Sequence, residues 1–326
     1  MLQISPIDCL NKSNFNPIIF KSIAFFIIFF SFIFHICQSS EMINIKDGFI
    51  QINNINIYYK TMGSGPPIFI LHGGPGDAHD TMLQFKKLAD QYKLIFYDQR
   101  AAGRSSGDED TAAQAVDNFI EDLEQLRLKL APEKIDIIAG SWGAMLAMNY
   151  AFKYSENINS LVLVSSMGIS SDYLALYRAN IARNRTREDS IAIEQIAKSD
   201  EVKNNDLEAI EKYWRLYFKA YCYNPTYADS ITLWIRDTTY HEVEGRYNRL
   251  WEYFRNYDIR DKLSSISCPT LILYGDYDPT PFEYIQPIDD SIPNSELVII
   301  EEAGHWLWVE APDKIMPIIR DFLKNK

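Results

Sequence analysis

Ala139-Gly140-Ser141-Trp142-Gly143 stands between an apolar run, Ile135–Ile138, and a stretch from Trp142 to Tyr154 that reads as a helix. A serine on a strand-to-helix turn, flanked by small residues, has the form G-x-S-x-G, in which a tight turn lifts the hydroxyl above the sheet. Alanine replaces the first glycine here, and as the next smallest side chain it still lets strand and helix approach. A serine that merely caps a helix after a strand has the same local look, so the turn alone leaves both readings open.

Outward from this turn, strand-like and helix-like segments alternate, the signature of a mostly parallel sheet with helices on both faces. Upstream, Phe49–Gln51 and Ile55–Tyr59 are expected to form a hairpin around Asn53-Asn54. Ile68–Leu71 is a buried strand opening into His72-Gly73-Gly74-Pro75-Gly76, and Lys93–Tyr97 repeats the form, ending in Asp98-Gln99-Arg100. Between Thr111 and Ala131, the residues Val116, Phe119, Ile120, Leu123, Leu126 and Leu130 recur at helical steps. Thr111 and Gln114 make a capping box at the start of that helix.

Downstream, Leu161–Val164 is a further strand, and then the alternation stops. From Met167 to Ser264 helix-like segments rich in Tyr, Trp and charged groups replace it, before Thr270–Tyr274, Leu297–Ile300 and a final helix, Asp313–Leu323. The expected organisation is a leader over 1–40, a core split into 41–166 and 265–326, and an inserted helical cap over 167–264.

Serine is a poor nucleophile until a base removes its proton, and the base needs an acid to hold its ring and balance its charge. Gly275-Asp276-Tyr277-Asp278 follows the strand Thr270–Tyr274, and Ala303-Gly304-His305 follows the next one, giving the chain order serine, acid, histidine. The expected set is Ser141 as nucleophile, His305 as general base and an aspartate of the Asp276-Tyr277-Asp278 stretch as the orienting acid; resemblance to related sequences, where the acid stands three residues after the glycine, implies Asp278 and leaves Asp276 a turn residue. Acyl transfer also needs donors aimed at the oxygen that becomes negative. The amides of Trp142 and Gly74 are the candidates.

His72–Gly76, Asp98–Arg104 (DQRAAGR) and Gly140–Gly143 resemble the proline iminopeptidase family of α/β-hydrolases, and the similarity runs from Phe49 to the C-terminus. The family's loop reads DQRGAGRS and its elbow GGSWG, so Ala101 and Ala139 each stand where it has glycine. The resemblance implies an α/β-hydrolase fold and removal of an N-terminal residue, often proline, from peptides. It also places Gly74, Ser141, Trp142, Asp278 and His305 at the family's oxyanion and triad positions, and it implies cap carboxylates that hold a free ammonium. Glu211, Glu242, Glu244 and Glu252 are the carboxylates available, Glu211 and Glu244 foremost. Tyr213, Trp214, Tyr217, Phe218 and Tyr221 lie at one- and four-residue steps, a stripe that can serve as the cap's own core and as a pocket wall, with Trp214 and Tyr217 as substrate contacts.

The substrate is therefore expected to be a small peptide. A carboxylesterase or lactonase with the same triad is the alternative, and a non-catalytic binding protein on the same fold is the remote one. No cofactor and no metal are expected, since the five His show no ligand spacing. A net charge of −12 without a block of Lys and Arg argues against nucleic acid as a partner. At the N-terminus, Lys12 and Lys21 precede Ser22–Cys37, an uncharged run dominated by Ile and Phe, followed by Gln38-Ser39-Ser40. That is the pattern of an export signal, or of an uncleaved anchor tethering the enzyme to the outer face of a membrane. Cys222 and Cys268, far apart in sequence, are expected as buried thiols.

Overall fold

Strand formation begins around an Asn-Asn turn. β1 (Ile45–Ile52) and β2 (Ile55–Met62) pair antiparallel with Ile52 opposite Ile55. Asn53 and Asn54 both have positive φ, 47° and 65°, as the favoured two-residue hairpin turn requires and asparagine tolerates. The other strands are β3 (Pro67–Leu71), β4 (Lys93–Tyr97), β5 (Ile135–Gly140), β6 (Ile158–Val164), β7 (Thr270–Gly275) and β8 (Ser295–Ile300). The computed structural model describes residues 44–107, 115–235 and 248–326. The leader over 1–40 and the capping pair Thr111 and Gln114 lie outside the described residues. Among the described residues, no helix is long and apolar enough to cross a membrane.

The eight strands form one sheet in the order β1-β2-β4-β3-β5-β6-β7-β8. Pairing is antiparallel from β1 to β4 and parallel from β4 to β8. Every residue of β3, β5 and β7 is buried, which is why these strands read as continuous apolar runs rather than alternating ones. Alternation reappears in which face each residue serves, because successive side chains point to opposite sides. Phe69, Leu71, Ile137, Ala139, Leu161 and Leu163 pack on one face with the helices Val116–Leu130 and Trp142–Tyr154. Ile68, Ile70, Ile138, Val162 and Val164 pack on the other, under the 3₁₀ segment His79–Leu88 and the final helix Pro312–Asn325.

Between β6 and β7 the described chain forms the helices Leu174–Asn184, Arg187–Ala197, Asp200–Lys203, Leu207–Phe218 and Asn248–Asn256. Three of them start at side-chain caps: Thr186 accepts from the Asp189 amide, Ser199 from Val202 and Asp206 from Ala209. Cys222 and Cys268 are buried free thiols.

Candidate active site

Ser141 sits between β5 and the Trp142–Tyr154 helix with φ 54° and ψ −120°. A non-glycine residue held there is strained, and such strain persists only where the surroundings fix it. They do so by leaving no room on either side. A side chain on Gly143 would meet the Leu71 carbonyl oxygen at 2.5 Å, and one on Gly140 would meet the Trp308 ring at 2.9 Å. Ala139, which replaces the family's glycine, lies within β5 opposite Leu71 and Leu163 and is fully buried. Its methyl belongs to the core of that face, so the substitution leaves the turn intact.

β7 and β8 deliver the other two groups. Gly275 ends β7, where a side chain would strike the carbonyl oxygens of Ala303 and Gly304 at 2.4 Å, so glycine here lets the two loops touch. Across that contact His305 Nδ1 lies 2.8 Å from Asp278 Oδ2, while Asp278 Oδ1 accepts the Thr280 amide at 2.8 Å. Both residues are buried. Asp276 is exposed and, among the described residues, its carboxylate accepts the Ala303 amide alone, at 3.2 Å. Burial disfavours a charged His305, but the charge and hydrogen bond of Asp278 outweigh it and raise the imidazole pKa. Glu310 holds the same loop by accepting the amides of Gly304 and Trp306. Its own pKa is pushed up to about 7 by burial.

The loop after β3 is fixed by a buried network. His72 Nε2 accepts the Gln99 amide at 3.0 Å, and Nδ1 lies 2.9 Å from the Gly73 carbonyl oxygen, so the ring is neutral with its proton on Nδ1. Burial lowers its pKa to about 4. Gln99 donates back to the His72 carbonyl at 2.8 Å and accepts the Trp142 indole N–H at 2.7 Å. Three loops, after β3, β4 and β5, are thereby tied together. Gly74 has φ +109°, and a side chain there would meet the Gly76 and Asp77 amide nitrogens at 2.6 and 2.8 Å. The Trp142 ring packs edge-on against Phe119 and Phe254, and its amide is the first at the head of the helix.

A cavity of about 410 Å³ opens onto Ser141, His305, Gly73 and Gly74. Tyr213, Trp214, Tyr217, Phe218 and Tyr221 all line it while stacking on one another, so the aromatic stripe is both cap core and pocket wall. Glu211 requires a correction. It is absent from the cavity wall, because Arg215, one helical turn on, holds its carboxylate at 2.7 Å. Glu252 is exposed. Glu242 and Glu244 lie outside the described residues. Met167, Tyr173, Tyr177, Arg178, Thr280, Trp306 and Asp77 also line the cavity and were not anticipated. Asp77 stands directly after the Gly76 that ends the recognisable loop.

His79, Asp80 and Asp98 converge closely enough to hold a cation. One is already there. Arg104 contacts Asp80 at 2.6 Å and Asp98 at 3.3 Å, and Asp98 also takes His79 Nδ1 at 2.7 Å.

Residues 66–312 match the family model described as the α/β hydrolase fold. A proline iminopeptidase of Saccharolobus solfataricus is 29% identical over 299 residues, covering 89% of this chain and 96% of that relative. One from Heyndrickxia coagulans is 27% identical, covering 86% and 99%. Among solved structures, VinJ superposes with a TM-score of 0.65 at 22% identity, covering 86% of this chain and 98% of its own. Est816, described as an N-acyl homoserine lactone degrading enzyme, gives 0.62 at 20%, covering 84% and 100%. At such identities the structural likeness establishes the fold alone.

Proposed function

The chain belongs to the α/β-hydrolase family, and from that premise we propose that it is a serine aminopeptidase releasing an N-terminal residue, proline among them, from short peptides. The observation that carries the reading is the 2.8 Å contact of His305 with Asp278, on a cavity shared with the strained Ser141. Relatives named proline iminopeptidase along almost the whole chain support the substrate class.

Chemically, Ser141 Oγ attacks the carbonyl carbon of the first residue while His305 Nε2 takes the hydroxyl proton. The amides of Gly74 and Trp142 receive the oxyanion. His305 then gives its proton to the departing amine as the C–N bond breaks, leaving an acyl ester on Ser141. Water, deprotonated by the same imidazole, releases the amino acid and restores the serine. The apolar aromatic wall suits a compact apolar first residue. The proposal extends to the N-terminal segment: a basic lead, an uncharged apolar run and small residues behind it support export.

Proline p-nitroanilide and its N-acetylated form separate the readings. The expected result is cleavage of the free amine, no cleavage of the acetylated compound, and loss of turnover in Ser141→Ala with the fold retained. Efficient cleavage of both, or of p-nitrophenyl esters alone, supports the carboxylesterase or lactonase reading instead.

A further inference from the structure

Asp77 lines the catalytic cavity, yet among the described residues no hydrogen bond or ion pair holds its carboxylate, and only the charge of His305 acts on it. Its position is close to the chemistry. A methyl-sized atom built on Gly73 would lie 3.2 Å from Ser141 Cβ and 3.5 Å from Asp77 Oδ2, so about one such volume separates the nucleophile from the carboxylate. The Asp77 carboxyl carbon lies as close, 3.5 Å, to the same construction on Gly74.

A fixed negative charge beside the oxyanion loop opposes the reaction, because negative charge develops on the carbonyl oxygen there. Partial burial without a partner is costly as well. Burial pushes the Asp77 pKa up to about 6, with the charge of His305 pulling the other way. Both costs vanish if the substrate brings a cation. An N-terminal residue does so by construction: its ammonium nitrogen is bonded to the same Cα as the carbonyl under attack, two bonds of about 1.5 Å from the reacting carbon.

Resting on the aminopeptidase reading, we infer that Asp77, on the core loop after β3, is the anchor for the substrate's free α-ammonium or proline imino group. The cap carboxylate Glu211 is committed to Arg215. Specificity for an unblocked N-terminus is then built into the oxyanion loop: a peptide without a positive charge meets an uncompensated carboxylate next to its developing oxyanion. Arg178, of opposite charge, also lines the cavity, on the helix Leu174–Asn184.

The test is the ratio of kcat/KM for proline p-nitroanilide to that for its N-acetylated form, in the wild type and in Asp77→Asn. The substitution is isosteric and breaks no hydrogen bond, and a melting temperature equal to or above the wild type's checks that the loop is intact. A charge-assisted contact of this kind predicts a fall in the ratio of about 10- to 100-fold, with inhibition by prolinamide weakened in parallel. An unchanged ratio overturns the inference while leaving the wild-type preference for free amines in place. Equal losses on both substrates also overturn it, and assign Asp77 to supporting the charge of His305. A wild type without any preference for the free amine removes the aminopeptidase reading, and the anchor with it.

Discussion

His305 is buried, a setting that favours a neutral ring, yet Asp278 holds its pKa above the ordinary value. In the proposed mechanism the base must be neutral to accept the Ser141 proton, so kcat/KM is expected to fall as the pH drops through a pKa above 6.5. Asp278→Asn removes the charge that raises that pKa and the acceptor that fixes the tautomer, and is expected to lower kcat about 10³- to 10⁴-fold while shifting the acid limb downward. A profile unmoved by the substitution contradicts the pairing. His72 is the opposite case. Its pKa is depressed to about 4, so between there and 6.5 the unfolded chain binds more protons than the folded one, and stability falls with falling pH. The window is worth about 3 kcal/mol. Asp77 and Glu310, whose pKa values burial raises to about 6 and about 7, work in the opposite direction, so the difference between proteins isolates His72. In denaturant titrations the stability deficit of His72→Asn at pH 7 is expected to shrink by most of that amount at pH 4.5. A constant deficit would show that His72 does not titrate across the window.

At the scale of elements, the site depends on loops pressed together at the ends of β5, β7 and β8. Gly304 shows how tightly: a side chain there would meet the Tyr221 carbonyl oxygen at 2.2 Å and Cys222 Cα at 2.9 Å. Beside it the His305 amide donates to that same Tyr221 carbonyl at 2.7 Å, the Tyr223 amide donates to Glu310 at 2.7 Å, and Asn180 donates to the Pro279 carbonyl at 2.9 Å. Residues between β6 and β7 therefore hold both the histidine loop and the acid loop. Gly304→Ala is expected to cost about 1–3 kcal/mol of stability, by the measure of overpacked cores, and to lower kcat about 10²-fold by displacing the imidazole. Thermal melts and kinetics together check this, and wild-type kcat would mean that the loop yields without moving His305. Strands such as Lys93–Tyr97 were legible to the residue because burial on both faces leaves an unbroken apolar run. β1 and β8 extended beyond their expected starts, since partly exposed strands admit polar residues such as Asp47 and Glu296. The meeting of Asp278 with His305 was legible from their places after the last two strands. The surroundings of Asp77 and Glu211 were not, because only the folded chain shows which carboxylate lines the cavity and which is captured by Arg215.

For the molecule as a whole, the described residues after 43 carry an eight-stranded sheet. Its edge strand β1 starts at Ile45 and pairs along its length with β2, and among the described residues Asp278 and His305 meet on the cavity side of that sheet. The first forty residues differ in chemistry, with an uncharged Ile- and Phe-rich run ahead of Gln38-Ser39-Ser40. A chain needing that run for its core would expose apolar surface on losing it; a chain carrying it as a leader would not. Expressed with its own N-terminus in a secretion-competent bacterium, the protein is expected outside the cytoplasm, with its first residue near Ser39 by mass spectrometry and its hydrolytic activity intact. Recovery from washed membranes at full length identifies the run as an uncleaved anchor. Full-length protein in the cytosol, or a shortened product that aggregates, overturns the leader assignment, because the apolar run would then belong to the folded domain.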